Sequence, residues 1–515
     1  MKIGLSSQLD AVAQRWIEGA VTDHFASRLF EKDARLWGKA AEAEATHRLG
    51  WVDNPSRWLP LVEELETFRA ELAQQGVSSV ILCGMGGSSL APEVMAKQAG
   101  VDLQIVDSTH PDQLSPVVGG DLSHTVVVVS SKSGGTLETD SQRRLFESAL
   151  TSQGLNPAER IVIVTDPDSP LHQEAVSAGY RVFTGDASIG GRFSALSPFG
   201  LVPACLAGID VRRILADATD AWEACRLDRS DNPGVVLGAA LAAGYPEHNK
   251  LLLKPHNGLP GLGDWIEQLV AESTGKEGQG LLPVVDSSLS DISDAITVGD
   301  GQNLSEVALE ATLGEHFLIW EVATALACQM LGVNPFDQPN VESAKAAAKE
   351  LLESSTQGLR VETVLEGVSL WSPGGIPPEV ATVHGLMSWW RSLLQERSYG
   401  AFCVFGDHGL IEPWNEARRS VESATGRPIT VGFGPRFLHS TGQLHKGGPG
   451  EGVFLQVIQT PDSSLSIPGR DFDLGTLLLA QAHGDAQVLA DAGLAVLSIT
   501  ATSQQLPQLW EAMKG

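Results

Sequence analysis

Five short runs rich in β-branched residues recur in the first part of the chain. They read SSVILCG, LQIVD, TVVVVSS, RIVIVTD and YRVFTG, and segments with helical periodicity separate them. A continuous apolar run such as Val126–Val129 is typical of a parallel strand that is covered on both faces. Strands that alternate with helices in this way predict a βαβ sheet with right-handed crossovers. The pattern therefore places the chain in the α/β class.

A second series of strands begins with NKLLLKP and resumes at AFCVFGD, PITVGFG, GVFLQVIQ and LAVLSIT, after two helical segments split by GVNPFDQP. We therefore predict two doubly wound, mainly parallel sheets flanked by helices. The predicted divisions are an N-terminal helical segment (1–78), a first sheet domain (79–200), the start of a second domain that includes the helical pair (201–355), and C-terminal strands and helices that complete that second domain (356–515).

The charge balance excludes several partner classes. The chain carries 35 basic and 63 acidic side chains, a net charge of −28, which repels nucleic acid and anionic membranes. It has no signal-peptide pattern at MKIGLSSQLDAVAQRW and no apolar stretch of membrane-spanning length. The five cysteines are an odd number without metal-type spacing. These features predict a cytoplasmic protein with reduced thiols, and neither a nucleic-acid nor a membrane partner.

The polar stretch SSKSGGTLET, residues 130–139, directly follows the buried strand TVVVV. Its hydroxyls, lysine and glycines therefore lie at the carboxyl end of a parallel strand. Ligands bind at this edge of open α/β sheets, and the following helix directs free N–H groups and the positive end of its dipole towards it. We predict that the stretch binds phosphate.

The glycine turn in VILCGMGGSSLAPEV has two further interpretations besides phosphate binding. Gly84 and Gly86 follow a strand, and Asp107 ends the next strand, which partly matches a dinucleotide fingerprint. Ser89 stands at the third glycine position, which weakens a nicotinamide site. The turn can also serve only as a tight connection without a ligand, and these alternatives stay open at this point.

In these two loops the sequence resembles the sugar-phosphate isomerase, or SIS, superfamily, and within it the glucose-6-phosphate isomerase family. The family pattern G-x-G-G-S matches residues 84–88, and S-K-[ST]-G-x-T-x-E-T matches 131–139. The resemblance implies two SIS-type domains. It also implies a set of contacts to the substrate phosphate: Gly87, Ser88, Ser131, Lys132, Ser133 and Thr136. Gly135 departs from the family pattern, since many members have threonine there.

Three more motifs extend the resemblance. GGRFS resembles the segment whose arginine faces the reacting sugar atoms, which implies that role for Arg192. QLVAESTGK resembles the segment with the catalytic base and implies Glu272, while Gln268, four residues earlier, shares its helix face. NPFDQPNVESAK resembles the segment with the catalytic lysine and implies Lys345, preceded by Gln338.

LHSTGQLHKGG resembles the segment with the ring-opening histidine and implies His439, with His445 as a local alternative. In ordinary members this histidine comes between the glutamate and the lysine, whereas here the order is Glu272, Lys345, His439. The isomerase portions of fused transaldolase–isomerase proteins are similar, with an extended C-terminal part, although no transaldolase portion is present here.

The resemblance implies an enzyme that interconverts glucose 6-phosphate and fructose 6-phosphate through an enediol intermediate, without a cofactor or a metal. It also implies a homodimer, and whether His439 acts in its own or a partner's site stays open. The alternatives are a phosphomannose or dual-specificity isomerase, a non-catalytic sugar-phosphate sensor and, from the glycine turn, a nicotinamide oxidoreductase.

Overall fold

The computed structural model describes residues 1–256, 258–290, 292–301, 305–353 and 363–514. In these ranges the chain is an α/β protein with three mainly parallel sheets flanked by helices. The predicted fold class is therefore confirmed, but the predicted number of sheets is corrected from two to three. The predicted division between 355 and 356 lies outside the described residues.

The N-terminal segment is mostly helical. One correction concerns its first residues, because Lys2–Leu5 form a strand that pairs antiparallel with the edge of the second sheet. Four residues are too few to show a clear period in the sequence. The elements are β1 (Lys2–Leu5), α1 (Ser7–Thr22), α2 (Phe25–Phe30), α3 (Lys39–Ala45) and α4 (Leu59–Gln74).

The first sheet contains the five strands predicted from the β-branched runs, all parallel, in the order β3-β2-β4-β5-β6. Its elements are β2 (Ser79–Gly84), α5 (Leu90–Ala99), β3 (Gln104–Val106), α6 (Pro111–Val118), β4 (Thr125–Ser130), α7 (Leu137–Ser152), α8 (Pro157–Arg160), β5 (Ile161–Thr165), α9 (Pro170–Ala178) and β6 (Arg181–Thr184). The strand order reverses direction at β2, so a crevice opens between the carboxyl ends of β2 and β4.

Three helices lead to the second sheet, whose order is β1-β10-β9-β7-β8. Each pair of neighbouring strands in this sheet is parallel, except that β1 pairs antiparallel with β10. The elements are α10 (Pro198–Ala207), α11 (Val211–Cys225), α12 (Pro233–Ala242), β7 (Lys250–Leu253), α13 (Leu262–Thr274), β8 (Leu282–Val285), β9 (Ala295–Gly299), β10 (Val307–Glu310), α14 (Leu313–Leu331) and α15 (Pro339–Glu353). The predicted helical pair is α14 and α15.

The third sheet has the order β11-β12-β16-β15-β13-β14, with four parallel strands and an antiparallel edge. β13 pairs with β14 on one side and β15 on the other, so it is an inner strand of this third sheet rather than an edge of the second, and all of its residues are buried. The elements are β11 (Thr363–Leu365), β12 (Val368–Trp371), α16 (Val383–Ser392), β13 (Tyr399–Phe405), α17 (Ile411–Thr425), β14 (Ile429–Phe433), α18 (Gly442–Gly447), β15 (Gly452–Thr460), α19 (Leu474–Asp491), β16 (Ala495–Thr502) and α20 (Leu506–Lys514).

Candidate active site

The glycine turn and the hydroxyl-rich loop lie next to each other at the carboxyl edge of the first sheet. Gly84 at the end of β2 is the register partner of Ser130 at the end of β4, so the glycine turn and the hydroxyl-rich loop start side by side. Their position is where strand order reverses in the first sheet, which is where ligands bind in sheets of this kind.

Close approach explains the glycines of the first turn. A Cβ atom on Gly87 would lie 2.1 Å from the Gly191 carbonyl oxygen, so the turn rests directly on the segment that carries Arg192. Gly86 has a φ of +54°, and a Cβ there would lie 2.8 Å from the His439 carbonyl oxygen. Side chains at either position would separate three of the predicted motifs, so both glycines are needed for the assembly.

The hydroxyl-rich loop presents several polar groups at the start of α7. Ser131 Oγ donates to Thr136 Oγ1 at 3.4 Å, and the Gly135 amide donates to Ser133 Oγ at 3.2 Å. Thr136 is the N-cap residue of α7, but its hydroxyl makes no capping bond. Ser133 is exposed, and Ser88 in the glycine turn is half-buried.

Lys132 is placed differently from the hydroxyls around it. Its ammonium group forms an ion pair with Asp166, with Nζ and Oδ2 2.6 Å apart, and donates to the Asp186 carbonyl oxygen at 3.3 Å. Burial lowers the pKa of Lys132, against the opposing effect of Asp166. The structure thus shows a carboxylate partner for this lysine, and its predicted phosphate contact stays a prediction.

The Arg192 guanidinium is buried and donates to four residues in two segments of the chain. Nε donates to Ser273 Oγ at 2.8 Å, and Nη1 donates to Gln338 Oε1 at 3.0 Å. Nη2 donates to the carbonyl oxygens of Pro335 and Asp337, at 2.5 and 3.1 Å. The predicted arginine and the predicted glutamine of the lysine motif are therefore in direct contact.

Glu272 forms an ion pair with this arginine, with Oε1 and Nη1 3.2 Å apart. Its other oxygen accepts a 3.2 Å hydrogen bond from Gln268 Nε2, one helical turn earlier on α13. The same amide group donates to the His439 carbonyl oxygen at 2.7 Å. Gln268 therefore joins the predicted base to the predicted ring-opening segment, in agreement with the shared helix face expected from their spacing.

Lys276 is a site residue that the sequence analysis missed. Its buried ammonium group donates to the carbonyl oxygens of Asn334 and Asp337 at 2.7 and 2.6 Å, and pairs with Asp337 Oδ1 at 2.8 Å. Burial is the main cause that lowers the pKa of Lys276, and repulsion from Arg192 lowers it further. Two cations thus hold the turn that precedes Gln338. The signal was its position at the end of the motif QLVAESTGK, four residues after Glu272.

Glu138 is a second residue that the sequence analysis missed, and it is the hydrogen-bond partner of His439. Oε1 of Glu138 and Nε2 of His439 are 3.0 Å apart. Burial acts to raise the pKa of Glu138, but the hydrogen bond and positive charge of His439 outweigh it and hold that pKa below its ordinary value. Glu138 belongs to the T-x-E-T part of the phosphate-loop motif, and this position was the signal for it.

His439 and Glu138 line a cavity of about 730 Å³ together with Thr136 and Lys345. Lys345 lies on α15, where its side chain is half exposed and its Nζ is 2.9 Å from Glu342 Oε1. The cavity thus joins the predicted lysine and histidine to the end of the phosphate loop.

His445, the local alternative, lies elsewhere. It is buried between the rings of Tyr399, Phe437 and Phe454, with centroid distances of 6.1, 6.1 and 5.0 Å. Burial is the main cause that lowers the pKa of His445 to about 3, and repulsion from the positive charge of Lys446 adds to it. Of the two histidines, only His439 contacts the predicted site.

No group of three or more His, Cys, Asp or Glu side chains in the described ranges is arranged to hold a metal ion. Among the helices of the described residues, none combines the length and the apolar character needed to cross a bilayer.

Comparison with known proteins finds glucose-6-phosphate isomerases among the relatives of this chain. A glucose-6-phosphate isomerase from a Cyanothece species is 27% identical over 436 residues, covering 68% of this chain and 82% of that protein. One from Rippkaea orientalis is 35% identical over 212 residues, covering 39% of this chain and 40% of that protein. This chain is similar to glucose-6-phosphate isomerases. No family model matches it.

A solved structure agrees with the fold. The glucose-6-phosphate isomerase from Chlamydia trachomatis has a TM-score of 0.52 and 22% identity, and the match covers 67% of this chain and 86% of that one. This likeness shows the fold alone. The sequence relatives support the family inferred from the motifs, while the resemblance to fused transaldolase–isomerase proteins stays a prediction.

Proposed function

We propose that this protein interconverts glucose 6-phosphate and fructose 6-phosphate through an enediol intermediate, with Glu272 as the base. The observation that carries the proposal is the buried Arg192–Glu272 pair, which Gln268 joins to His439 beside the phosphate-loop crevice. The sequence relatives named glucose-6-phosphate isomerase support it.

The isomerisation moves one proton between C2 and C1, and another between the two oxygens. A single carboxylate can serve both carbons if it lies within hydrogen-bond reach of each. Glu272 takes that role, and Arg192 stabilises the negative charge that develops on the enediolate oxygens. Arginine suits this task because it keeps its charge throughout the reaction.

The phosphate is held at the other end of the crevice. Ser88, Ser131, Ser133 and Thr136 supply hydroxyls, Gly87 allows the backbone to approach, and the N-terminus of α7 attracts the anion. Binding energy from this remote group positions the reacting carbons against Glu272.

Ring opening requires an acid for the ring oxygen and a base for the anomeric hydroxyl. His439 and Lys345 share the two tasks, since both line the cavity that begins at Thr136. Gln338 fixes the Arg192 guanidinium from the start of α15, so it couples the position of the lysine helix to that of the arginine.

The test is conversion of fructose 6-phosphate to glucose 6-phosphate by the wild type, Glu272→Gln and Glu277→Gln. Loss of a general base lowers the rate by about 10²- to 10⁴-fold, so we expect that loss for Glu272→Gln, with the fold and substrate binding retained. Glu277 is exposed near the same helix end, so Glu277→Gln is a matched control with normal activity.

Three results would contradict the proposal. A wild type that binds the sugar phosphate without converting it would indicate a sensor, and conversion of mannose 6-phosphate alone would indicate a different isomerase. Equal activity of the wild type and Glu272→Gln would reject Glu272 as the base.

A further inference from the structure

A side chain from the third sheet's helix α19 reaches the active site. Nε2 of Gln481 donates to Glu138 Oε1 at 2.7 Å, and this is the same oxygen that lies 3.0 Å from His439 Nε2. Gln481 is buried and lines the cavity that also contains Lys345. It is not part of any motif on which the proposed function rests.

The amide of Gln481 has a defined orientation. Its oxygen accepts a hydrogen bond from Thr109 Oγ1 at 3.0 Å, so its NH₂ group is directed at Glu138. Glu138 Oε1 therefore receives one amide donor and faces one histidine nitrogen. An oxygen in this position acts as an acceptor for both, which fits an ionised carboxylate. Burial opposes ionisation, but the contact with His439 keeps the pKa of Glu138 below its ordinary value.

This arrangement also bears on which ring nitrogen of His439 carries the hydrogen. Because Glu138 Oε1 accepts, His439 Nε2 carries a hydrogen, and Nδ1 is the ring nitrogen left for the substrate. Without Gln481, the carboxylate would lose one of the two contacts that fix the position of this oxygen. The ring of His439 would then be less well oriented towards the sugar, and ring opening would be slower.

The helix that carries Gln481 is firmly placed. A Cβ atom on Gly484 would lie 2.9 Å from the backbone nitrogen of Ala348, so α19 and the lysine helix α15 are in backbone contact. One residue further, Asp485 forms a 2.5 Å ion pair with Lys446 of α18, which follows the His439 segment. A side chain on this part of α19 is thus held against two of the predicted catalytic segments.

We propose that Gln481 is a positioning residue, which holds Glu138 so that His439 is oriented to open the sugar ring. The inference rests on the proposed isomerase function and gives helix α19 an indirect part in it. Gln481 itself contacts no reacting atom and acts only through Glu138 and His439.

The experiment compares two substrates, one that must be opened and one that is already open. Fructose 6-phosphate is mostly cyclic, whereas its 5-deoxy analogue lacks the hydroxyl that closes the ring. Exchange of the C1 protons in D₂O, followed by NMR, reports proton transfer by Glu272 for both compounds. The variants are Gln481→Leu, which removes the donor, and Gln481→Glu, which keeps the shape but places a second carboxylate beside Glu138.

We expect both variants to exchange fructose 6-phosphate about 10- to 100-fold more slowly than the wild type, as for loss of a hydrogen bond to a charged group. KM should stay within about twofold, because the phosphate contacts are unchanged. The 5-deoxy analogue should react at the wild-type rate, within about twofold, because it bypasses ring opening. Gln487→Leu is the matched control, since Gln487 lies on the same helix, is exposed and bonds only to Asp491 among the contacts described.

Equal losses with both substrates would overturn the inference, since they would mean a general structural effect. No loss with fructose 6-phosphate would overturn it as well. If Gln481→Leu does not fold, as judged by its melting temperature, the isosteric Gln481→Glu decides. A wild type inactive with both substrates would instead reject the proposed function, so the two failures are distinguishable.

Discussion

Two histidines close in sequence, His439 and His445, have opposite surroundings. His439 faces a carboxylate and a cavity. His445 is enclosed by aromatic rings, and neither of its ring nitrogens has a hydrogen-bond partner among the residues that the structure describes. Burial and, to a smaller extent, repulsion from Lys446 lower the pKa of His445 to about 3. A neutral imidazole is therefore built into the core, and this has a consequence for stability.

The prediction at this scale concerns pH. In the unfolded chain His445 binds a proton below about pH 6.5, whereas in the folded protein it stays neutral down to about pH 3. The unfolded state gains protons as the pH falls, so stability falls with it, by about 2 kcal/mol between pH 7 and pH 5 from this group alone.

His445→Phe removes that group and keeps an aromatic ring in the site. Urea denaturation at pH 7 and pH 5 gives the unfolding free energy at each pH. We expect the decrease between the two to be about 2 kcal/mol smaller in His445→Phe than in the wild type. The exposed His47→Phe serves as the control and should leave the pH dependence unchanged. Identical pH dependence of His445→Phe and the wild type would mean that His445 is protonated in the folded protein.

At the scale of elements, one ion pair joins α18 to α19. Lys446 Nζ and Asp485 Oδ1 are 2.5 Å apart, and both side chains are almost fully buried. Removing one partner of such a pair leaves an uncompensated charge in the core, which typically costs about 3–5 kcal/mol. The segment after β14 that carries His439 would lose this ion pair with the helix that carries Gln481.

Lys446→Met should therefore lower the free energy of unfolding by about 3–5 kcal/mol, as measured by urea denaturation. The double variant Lys446→Met/Asp485→Asn should recover most of this loss, because no buried charge is left unpaired. Lys514→Met is the control for an ion pair at the surface and should change stability by less than about 1 kcal/mol. A double variant less stable than Lys446→Met would reject the charge explanation.

Elements also explain which parts were predictable from sequence. The strands of the first sheet follow from their β-branched runs, and the meeting of the two polar loops follows from the rule for parallel strand ends. Helical spacing gave the contact between Gln268 and Glu272. Gln481 had no such signal, because it meets Glu138 across 343 positions of the chain and lies in no local pattern.

At the scale of the whole molecule, the number of sheets was the main error. Apolar runs show that strands exist but do not show which edges pair, so the C-terminal strands were assigned to the second sheet. In the structure they form a third sheet, which brings His439 and Gln481 to the crevice of the first. The predicted domain boundaries stay predictions.

The third sheet also reverses its strand order, at β13, between β14 and β15. At this point, the loop after β3 of the first sheet and the start of α6 contact the carboxyl end of β15 and the residues that follow it. The fully buried His110 lies with Nε2 3.3 Å from the Gln459 carbonyl oxygen, and Asp112 accepts from the amide groups of Asp462 and Ser463. The contacts bind the two sheets together, which accounts for how the third sheet can present catalytic side chains to the first.

This arrangement leads to a prediction about subunits. The hydrogen bonds that connect His439 to Glu138 and to Gln268 are formed within one chain, so we expect each subunit to contain its own active site. Glu272→Gln and His439→Ala chains with different tags are coexpressed, and mixed assemblies are isolated through both tags. We expect them to be as inactive as either variant alone, since no site then has both residues. If sites were shared between subunits, a mixed dimer would contain one intact site and recover about half of the wild-type activity. The contacts of His439 with Glu138 and of Gln268 with the His439 carbonyl oxygen, both within one chain, favour the first result.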